Sequence, residues 1–532
     1  MAEGLLGGIL GGDGEKTEDA SSITLQPRSL TAIGKIDSRF QSYNVEMAEV
    51  IGARFWAPYN ADGTTPADKY REREPLDLRT NARLRNLARA LGPAYMRVSG
   101  TWANSTYFQD DDQPAMKEPP FGYVGVLTRT QWAGAIDFAK SVDARIVTSF
   151  PVGAGARNPD GSWNPDGARR LLRYTRKIGG PLAGVQPINE PNLGERSYLP
   201  RNYDAAAFAR DNVAFKALLD IEAPDVKFVG PTGTGDVGNF LSNTRRGIVG
   251  NFLFNARRGI LGMGSFLFNI RRGIPFTSEQ LLSSEPQPKF DIFAYHFYTS
   301  LSQRCIPPQR AAKPEVALTE KWLDEADRHQ NFYRALRDRF APGAPIWVTE
   351  IGQAACGGDP WAKTFIDTFR YVDNMGRLAR SGVAAIFHNT LTASDYALID
   401  DRTGEPRPSY WAAVLWRRLL GETVLDAGPL KPGFHIYAHC LRGIPGGVSL
   451  IALNLDRTKG ATLKLPFEAE RYVLSADDLL GTTAKLNGRP LALVGDALPA
   501  MNPEKIGSGA MQLPPASITF LALPRAANSA CR

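Results

Sequence analysis

Metal-binding residues are scarce in this sequence. Its 532 residues include four cysteines and five histidines. The cysteines show no CxxC spacing, and the histidines show no HExxH or other paired pattern. A zinc or iron–sulfur site is therefore not expected. We predict a function that needs neither a metal nor an organic cofactor.

Long apolar runs are also absent. No uninterrupted run approaches the roughly 18 residues that a membrane-spanning helix needs, because arginines or glycines break every candidate. The first residues, MAEGLLGGILGGDGEKTED, have no basic stretch before their apolar part, which argues against an intact secretory signal. Hydrophobic residues nevertheless make up 43% of the chain and charged residues 22%. This balance is typical of a well-buried globular protein and excludes whole-chain disorder.

Excess positive charge is concentrated in one segment. The chain has 62 basic and 55 acidic residues, a net charge of +7, which favours acidic partners without choosing among nucleic acid, membrane surface and acidic glycan. Residues 239–274 hold six arginines and no acid, in three copies of the pattern F-L-x-N-x-R-R-G-I. We interpret these copies as a tandem insertion. The insertion is either passive or a contact for a polyanion or a peripheral membrane surface.

An apolar run followed by a helical stretch recurs through residues 41–415. Eight short runs rich in Val, Ile, Phe or Ala end in polar residues. They are QSYNVEMA, AYMRVSGT, ARIVTSFPVG, GVQPINEPN, VKFVGPTG, FDIFAYHFY, PIWVTEIGQ and VAAIFHNTL. Helical patterns with charged outer faces separate most of them. Eight strands alternating with helices predict a (β/α)8 TIM barrel that carries the insertion at 239–274.

Strand-like segments follow one another in residues 416–532. FHIYAHC, VSLIALNL, ATLKLPF, RYVLSA and ASITFLALP are separated by turns and predict an all-β sandwich, so the fold class is α/β plus all-β. Two early segments, SSITLQP and SLTAIG, also have strand character and fit either domain. Residues 1–22 are rich in glycine and acids, and we predict a flexible leader there.

The leading catalytic candidates are Glu190 in INEPN and Glu350 in VTEIG. They lie at the ends of the fourth and seventh apolar runs, and a barrel carries its active site at the C-terminal ends of its strands. A glutamate in a mainly apolar strand is costly to bury without a task or a partner. Two such residues facing one cavity suit glycoside hydrolysis with retention of configuration. The alternative is that both glutamates form ion pairs with barrel arginines.

Several ordered motifs resemble one enzyme family. INEPN, VTEIG, LARALGPAYMRVSGT, PRPSYWAAVLWRRLLGETVL and GSGAMQLPPASITFLALP are similar to motifs of the heparanase and β-glucuronidase family, glycoside hydrolase family 79. The resemblance extends from about Ile23 to the end of the chain. It implies a (β/α)8 barrel plus a β-sandwich completed by an N-terminal strand, here in residues 23–40. It also implies a retaining endo- or exo-glucuronidase with Glu190 as acid/base and Glu350 as nucleophile.

The resemblance implies a set of substrate contacts as well. Residues that match them, including those that recognise the uronate carboxylate, are Asn189, Tyr298, Gly357, Gly358 and Tyr396. Further candidates that lie at the ends of barrel strands are Thr101, Asn104 and His296. For such a histidine, the other interpretation is a hydrogen-bonded residue of the barrel wall.

The four cysteines bear on the cellular compartment. The resemblance implies a disulfide between Cys440 and Cys531. Cys305 and Cys356 follow neighbouring barrel strands and are either a second bridge or two free thiols. A disulfide fits an oxidising compartment. We therefore expect a secreted or periplasmic protein, although no signal peptide is recognisable and the cytoplasm stays open.

These features predict a hydrolase that cleaves β-linked glucuronic acid in an acidic polysaccharide. The first hypothesis is a heparanase-like endo-β-glucuronidase acting on heparan sulfate or a related glycosaminoglycan. Its alternatives are an exo-acting β-glucuronidase on oligosaccharides or small glucuronides, and a catalytically silent protein that binds acidic glycans. A nucleic-acid-binding role rests on the arginine repeats alone, and we expect no nucleic-acid partner. We expect a monomer.

Overall fold

The computed structural model describes residues 22–237 and 274–532 of the chain. Nearly all of the predicted leader and of the arginine-rich repeat lies outside these ranges. The predictions about polyanion or membrane contact through 239–274 therefore concern residues that the structure does not describe.

Eight parallel strands close into a barrel in chain order. They are Gln41–Glu46, Ala94–Ser99, Ala144–Thr148, Leu182–Val185, Lys227–Gly233, Ile292–Leu301, Ile346–Ala355 and Val383–His388, called barrel strands 1 to 8 below. Strand 8 pairs with strand 1, with Ile386 beside Gln41, which completes the ring. Each of the eight apolar runs in the sequence contributes one barrel strand, so the predicted TIM barrel is confirmed.

Helices connect and surround these strands. They are Met47–Ile51, Ala82–Arg89, Arg129–Ser141, Asp166–Lys177, Ala205–Glu222, Ser278–Leu282, Glu320–Leu323, Glu325–Phe340, Phe365–Arg380 and Pro408–Leu419. Their starts follow local sequence rules: the Asn81 side chain accepts from the Leu84 N–H, and Thr128 forms a reciprocal capping box with Gln131. Within the described ranges, no helix is both long and apolar enough to cross a membrane.

Short strands and 3-10 helices lie between the main elements. The strand Phe55–Trp56 pairs with Tyr70–Arg71 after barrel strand 1, and Thr106–Gln109 pairs with Gly125–Thr128 after barrel strand 2. The 3-10 helices of the described chain are Pro27–Ser29, Thr101–Ser105, Ala154–Ala156, Pro191–Ser197, Pro314–Val316, Pro360–Lys363 and Ser529–Cys531.

The second unit is a sandwich of two sheets. The larger sheet contains Ala32–Lys35, Leu420–Leu425, Phe434–Leu441, Val448–Asn454, Ser517–Leu523, Ala469–Ser475, Lys485–Leu486, Arg489–Pro490 and Glu504–Ile506. The smaller sheet contains Ser22–Thr24, Ala461–Leu465 and Gly509–Leu513. Apolar residues from both sheets, among them Leu450, Leu463 and Leu521, form one buried cluster between them. A sandwich completed by N-terminal strands is therefore confirmed.

Pairing across the chain joins early and late residues in both sheets. Lys35 lies beside Thr423 in the larger sheet, and Ser22 lies beside Thr462 in the smaller one.

Cys440 and Cys531 form the predicted disulfide, with 5.2 Å between their Cα atoms. In the chain-entropy model, a loop of this size stabilises the fold by up to about 4–5 kcal/mol.

The sandwich packs closely against the barrel through the helix Phe365–Arg380. A Cβ atom on Gly376 of this helix would lie 2.4 Å from the Tyr437 ring of the sandwich, so only glycine permits this approach. Buried residues of both units belong to one continuous apolar cluster. The helix thus connects the outside of the barrel to the inner strands of the sandwich.

Candidate active site

Two glutamates meet at the C-terminal face of the barrel, as predicted. Glu190 follows barrel strand 4 and precedes the 3-10 helix Pro191–Ser197, while Glu350 lies within barrel strand 7. His296, in barrel strand 6, lies between them. One oxygen of each carboxyl group and one nitrogen of His296 all lie within 4.8 Å of one another. This is the face on which TIM barrels place their active sites.

Three side chains hold the carboxylate of Glu350. Arg97 donates from Nη1 to Oε1 at 2.9 Å, and the Tyr298 hydroxyl donates to Oε2 at 2.7 Å. His296 Nδ1 lies 3.5 Å from Oε2. Burial alone raises the pKa of Glu350, but the charges of His296 and Arg97 and the Tyr298 hydrogen bond outweigh it, so the pKa lies below its ordinary value. The arrangement favours the ionised form of Glu350.

Glu190 is held differently. Its Oε1 lies 3.0 Å from His296 Nδ1, and its side chain is 12% exposed. Its backbone is in the left-handed region, with φ of 48°, and the Ser197 hydroxyl donates to its carbonyl oxygen at 2.8 Å. A non-glycine residue rarely takes this conformation, and such strain clusters at functional sites.

The polar residues around Glu190 are joined by a largely buried hydrogen-bond network. Arg97 donates from Nη2 to the Asn189 side-chain oxygen at 2.6 Å and from Nε to Gln186 at 2.9 Å. Asn189 Nδ2 lies 3.5 Å from the Thr101 hydroxyl. Asn104 donates to the carbonyls of Asn189 and Ser197, both at 2.9 Å, and accepts from the Asn189 N–H at 2.9 Å.

Three residues predicted to contact the substrate form hydrogen bonds or close contacts with other residues of the protein. Asn104 is fully buried, and its side-chain amide forms hydrogen bonds with backbone groups. It therefore positions Asn189. Tyr298 holds Glu350, and His296 lies between the two carboxyl groups. The Tyr298 hydroxyl also accepts a hydrogen bond from Asn389 at 2.7 Å.

The residues predicted to recognise a uronate form a tight turn after barrel strand 7. Gly357 and Gly358 have φ of 82° and 79°, and the ring of Tyr396 lies against Gly358. The Gly358 N–H donates to the Ala354 carbonyl at 3.0 Å, so it is already used within the turn. The Gly357 N–H takes part in no hydrogen bond among the described residues. The Tyr396 hydroxyl accepts from Asn389 at 3.1 Å and keeps its own proton available.

Four residues of this site escaped the sequence prediction. They are Glu46, Arg97, Gln186 and Asn389. Arg97 carried a usable signal, because an arginine inside the apolar strand AYMRVS needs a buried partner as much as a glutamate does. Burial, followed by the charge of Glu350, raises the pKa of Glu46 well above its ordinary value, which favours its neutral form. The alternative weighed from the sequence was that both glutamates form ion pairs with barrel arginines, and the structure has such a pair between Arg97 and Glu350 alongside the paired-carboxyl geometry.

The same cluster also has the residue types of a metal site. Glu190, His296 and Glu350 each offer one ligand atom within reach of a shared ion. Arg97 already donates to Glu350, so a divalent cation bound there would face a guanidinium charge. The donor set therefore fits a cation poorly and fits a pair of reacting carboxyl groups well.

The second cysteine pair, left open by the sequence, is bonded. Cys305 and Cys356 form a disulfide with 6.3 Å between their Cα atoms. It joins the segments that follow barrel strands 6 and 7, next to the turn that contains Gly357.

Comparison with curated proteins finds relatives along most of the chain. Heparanase from Bos taurus is 25% identical over 514 residues, which cover 85% of this chain and 86% of that protein. Baicalin-beta-D-glucuronidase from Scutellaria baicalensis is 32% identical over 227 residues, which cover 40% of this chain and 42% of that protein. No protein-family model matches the chain.

Solved structures share the two-unit architecture. A 4-O-alpha-L-rhamnosyl-beta-D-glucuronidase from Fusarium oxysporum aligns with a TM-score of 0.60 and 13% identity, over 94% of this chain and 100% of that chain. A GH51 arabinofuranosidase from Xanthomonas axonopodis aligns with a TM-score of 0.58 and 15% identity, over 93% of this chain and 98% of that chain. At these identities the likeness shows the fold alone.

Proposed function

We propose, from the premise that the chain belongs to the heparanase and β-glucuronidase family, that it is a retaining glycoside hydrolase cleaving β-linked glucuronic acid. The relatives confirm the resemblance that the motifs indicated. The observation that supports the catalytic assignment most is the distance of at most 4.8 Å between carboxyl oxygens of Glu190 and Glu350. Retaining enzymes hold their two carboxyl groups roughly 5–5.5 Å apart, whereas inverting enzymes need roughly 6.5–9.5 Å to admit a water molecule.

In the first step, Glu350 is the nucleophile. Its ionised carboxylate attacks the anomeric carbon and forms a glycosyl ester while the glycosidic C–O bond breaks. Glu190 donates its proton to the leaving oxygen. The low pKa of Glu350 supports this division of roles, because a nucleophile must be ionised when the substrate binds.

In the second step, the roles of the carboxyl groups change. Once Glu350 is an ester, its negative charge is gone, and Glu190 accepts a proton from the incoming water. The water attacks the anomeric carbon, and Glu350 leaves as a carboxylate that Arg97 and Tyr298 again bind. The product keeps the β configuration.

The relatives and the turn near Gly357 support a proposal for the substrate class. We propose a glycosaminoglycan or another glucuronide, with the uronate carboxylate accepting hydrogen bonds from the Gly357 N–H and the Tyr396 hydroxyl. Endo action on heparan sulfate or a related glycosaminoglycan is the first hypothesis, and exo action on oligosaccharides or small glucuronides is the second. The name of the curated relative heparanase supports the first, and that of baicalin-beta-D-glucuronidase supports the second.

The two disulfides and the heparanase relatives are consistent with an extracellular or lysosomal location. We propose secretion or export to a periplasm, and a monomer in solution. Contact of 239–274 with a polyanion remains a proposal from the sequence.

A product analysis tests the proposed function. Hydrolysis of 4-nitrophenyl β-D-glucuronide followed by proton NMR should show the β-anomer of glucuronic acid first, before mutarotation. Size-defined glycosaminoglycan fragments should give internal fragments if the enzyme is endo-acting and the free uronic acid if it is exo-acting. Initial release of the α-anomer would contradict retention, and no product from any glucuronide would leave only the silent glycan-binding alternative.

A further inference from the structure

The turn after barrel strand 7 has an uncommon backbone that something must hold. Cys356, Gly357 and Gly358 have φ of 66°, 82° and 79°, three left-handed residues in succession. A Cβ on Gly357 would lie 2.8 Å from Arg304 Nη1 and 2.9 Å from the Trp56 ring. Left-handed residues are unfavourable outside glycine, so neighbouring groups must stabilise this conformation.

Arg304 supplies most of that support. Its side chain is fully buried. Nη1 donates to the carbonyls of Cys356 at 3.3 Å and Gly358 at 2.9 Å, and Nη2 donates to the Ala57 carbonyl at 2.8 Å. Asp395 balances the charge, with its carboxylate 2.5 Å from Nη2. Arg304 thus binds two carbonyls of the turn and ties them to the segment after barrel strand 1.

Two further residues complete this support. The guanidinium carbon of Arg304 lies 3.8 Å from the centre of the Tyr59 ring, and the Tyr59 hydroxyl donates to the Gly358 carbonyl at 2.8 Å. The Asp395 N–H donates to the Gly357 carbonyl at 3.0 Å. All three carbonyls of the turn are therefore bound by the protein.

The bound carbonyls determine where the free donor points. In a trans peptide, the carbonyl and the following N–H point in opposite directions. Because the Cys356 carbonyl faces Arg304 and the Ser302 hydroxyl, the Gly357 N–H faces away from them. Neither this N–H nor that of Cys356 donates to another described group, whereas the Gly358 N–H does. Rotation of that peptide would turn the donor away from a ligand.

A disulfide bond also constrains this turn. The disulfide joins Cys305, the neighbour of Arg304 in the chain, to Cys356, the first residue of the turn. Arg304 and the turn are therefore held together both by hydrogen bonds and by a bridge one residue away.

We propose that Arg304, together with the Cys305–Cys356 disulfide, is a positioning element that fixes the Gly357 N–H and thereby sets the preference for a uronic acid over the neutral sugar. Arg304 does not touch the substrate; it acts through the turn. The proposal rests on the proposed function, in that it assumes that the turn binds the uronate carboxylate.

The test compares two substrates that differ only at the carboxylate. The ratio of kcat/KM for 4-nitrophenyl β-D-glucuronide to that for 4-nitrophenyl β-D-glucoside is measured for the wild type and for Arg304→Lys. Lysine keeps the charge beside Asp395 but cannot reach both carbonyls in the planar geometry of a guanidinium. We expect the ratio to fall roughly tenfold or more, the size of one hydrogen bond to a charged group. The fall should come mainly from a higher KM for the glucuronide, with kcat little changed.

Arg417→Lys is the matched control. Arg417 is also a buried arginine that donates to backbone carbonyls, here those of Leu91, Ser38, Gln41 and Pro93. This variant should lose thermal stability and keep the wild-type substrate ratio. An equal fall in the ratio for Arg417→Lys would mean that any loosening of the fold has this effect, and would overturn the proposal.

A second variant tests the same proposal if Arg304→Lys does not fold. The double substitution Cys305→Ala with Cys356→Ala leaves the arginine in place and should lower the ratio in the same direction by a smaller factor. An unchanged ratio in whichever of the two variants folds would overturn the proposal while leaving the glucuronidase assignment intact. A wild type without turnover of the glucuronide, or without a preference for it, would instead contradict the proposed function itself.

Discussion

Two clusters in this molecule contain the same kinds of side chain, and we assign a catalytic role to one and a structural role to the other. The first is the active-site cluster of Glu46, Arg97, Glu190, His296 and Glu350. The second, the junction cluster, lies between the barrel and the sandwich and contains Glu320, Asp373, Arg377, His435 and Tyr437. Each combines acids, an arginine and a histidine, and the side chains are buried except those of Glu190, which is 12% exposed, and Glu320, which is 35% exposed.

The junction cluster satisfies its histidine completely. His435 contacts Asp373 through Nδ1 at 2.6 Å and Glu320 through Nε2 at 3.1 Å. Asp373 also accepts from the Tyr437 hydroxyl and from Arg377 Nε, both at 2.6 Å. His435, Asp373 and Tyr437 are all hydrogen-bonded, and Arg377 Nη2, which has no hydrogen-bond partner in the described structure, still lies 3.8 Å from Glu320 Oε2. Such pairing is typical of a structural network.

The active-site cluster leaves groups without protein partners. His296 contacts both glutamates through Nδ1, while its Nε2 is buried with no hydrogen-bond partner in the described structure. Glu190 keeps part of its side chain exposed. The comparison teaches that residue types alone do not mark a catalytic site. What distinguishes the active-site cluster is the left-handed backbone of Glu190 together with a histidine that contacts two carboxyl groups and leaves its other ring nitrogen unpaired.

The largest expected effect comes from removing the nucleophile. Glu350→Gln should lower kcat/KM on every glucuronide by on the order of 10⁴-fold or more, because the amide cannot form the glycosyl ester. The melting temperature should fall as well, because the buried Arg97 loses the charged partner of its ion pair. Steady-state kinetics and a melting curve measure both quantities.

Glu222→Gln is the matched control for this substitution. Glu222 is paired with Arg173 on the outer helix layer, away from the cleft. It should keep wild-type activity. Residual activity of Glu350→Gln close to that of this control would remove Glu350 from the role of nucleophile.

The next effect depends on the leaving group. Glu190→Gln should lower activity by roughly 10²–10⁴-fold on glucuronides whose leaving oxygen needs a proton, and much less on aryl glucuronides with acidic phenols. A series of leaving groups of graded acidity measures the dependence. Equal losses along the series would count against Glu190 as the acid.

Breaking the junction cluster should affect stability instead of chemistry. Asp373→Asn removes the charge that Arg377 and His435 share, and breaking a buried ion pair costs about 3–5 kcal/mol of unfolding free energy. Activity per folded molecule should stay near that of the wild type. Urea unfolding measures the free energy of unfolding, and active-site titration measures the activity per folded molecule. A loss of activity without a loss of stability would contradict the structural role of the junction cluster.

The smallest effect is a pH dependence of stability. Although burial alone would lower the pKa of His435, its hydrogen bonds to Asp373 and Glu320 outweigh burial and raise the pKa to about 9. A raised folded-state pKa gives stability that is full below about pH 6.5 and is lost as the pH rises through about 9. This contribution is roughly 3 kcal/mol. Melting temperatures of wild type and His435→Gln should converge as the pH rises through that range, and parallel curves would contradict the assignment.

The sequence was most informative where one strong force dominates. Eight apolar runs became eight barrel strands because hydrophobic burial selects them with little help from the rest of the chain. Glu190 and Glu350 could be brought together from their positions at strand ends, since parallel strands deliver their C-terminal ends to one face. Which chemical role each has remains a prediction.

Groups that assemble from distant parts of the chain could not be predicted. The junction cluster joins Glu320, Asp373 and His435, and no spacing in the sequence connects them. The pairing of Cys305 with Cys356 was open because its geometry depends on two loops. Asn104 was expected at the substrate, and only the hydrogen-bond pattern shows that its side chain binds the backbone of Asn189.

The way that early and late strands pair has a consequence for synthesis on the ribosome. Residues 22–35 leave the ribosome before the barrel, yet their partners in the two sheets are strands between residues 420 and 465. During translation of the whole barrel, these first strands have exposed backbone edges without partners. The strands between residues 420 and 465 must therefore emerge before the first strands can pair, and a barrel produced without them would carry permanent sites for edge-to-edge association.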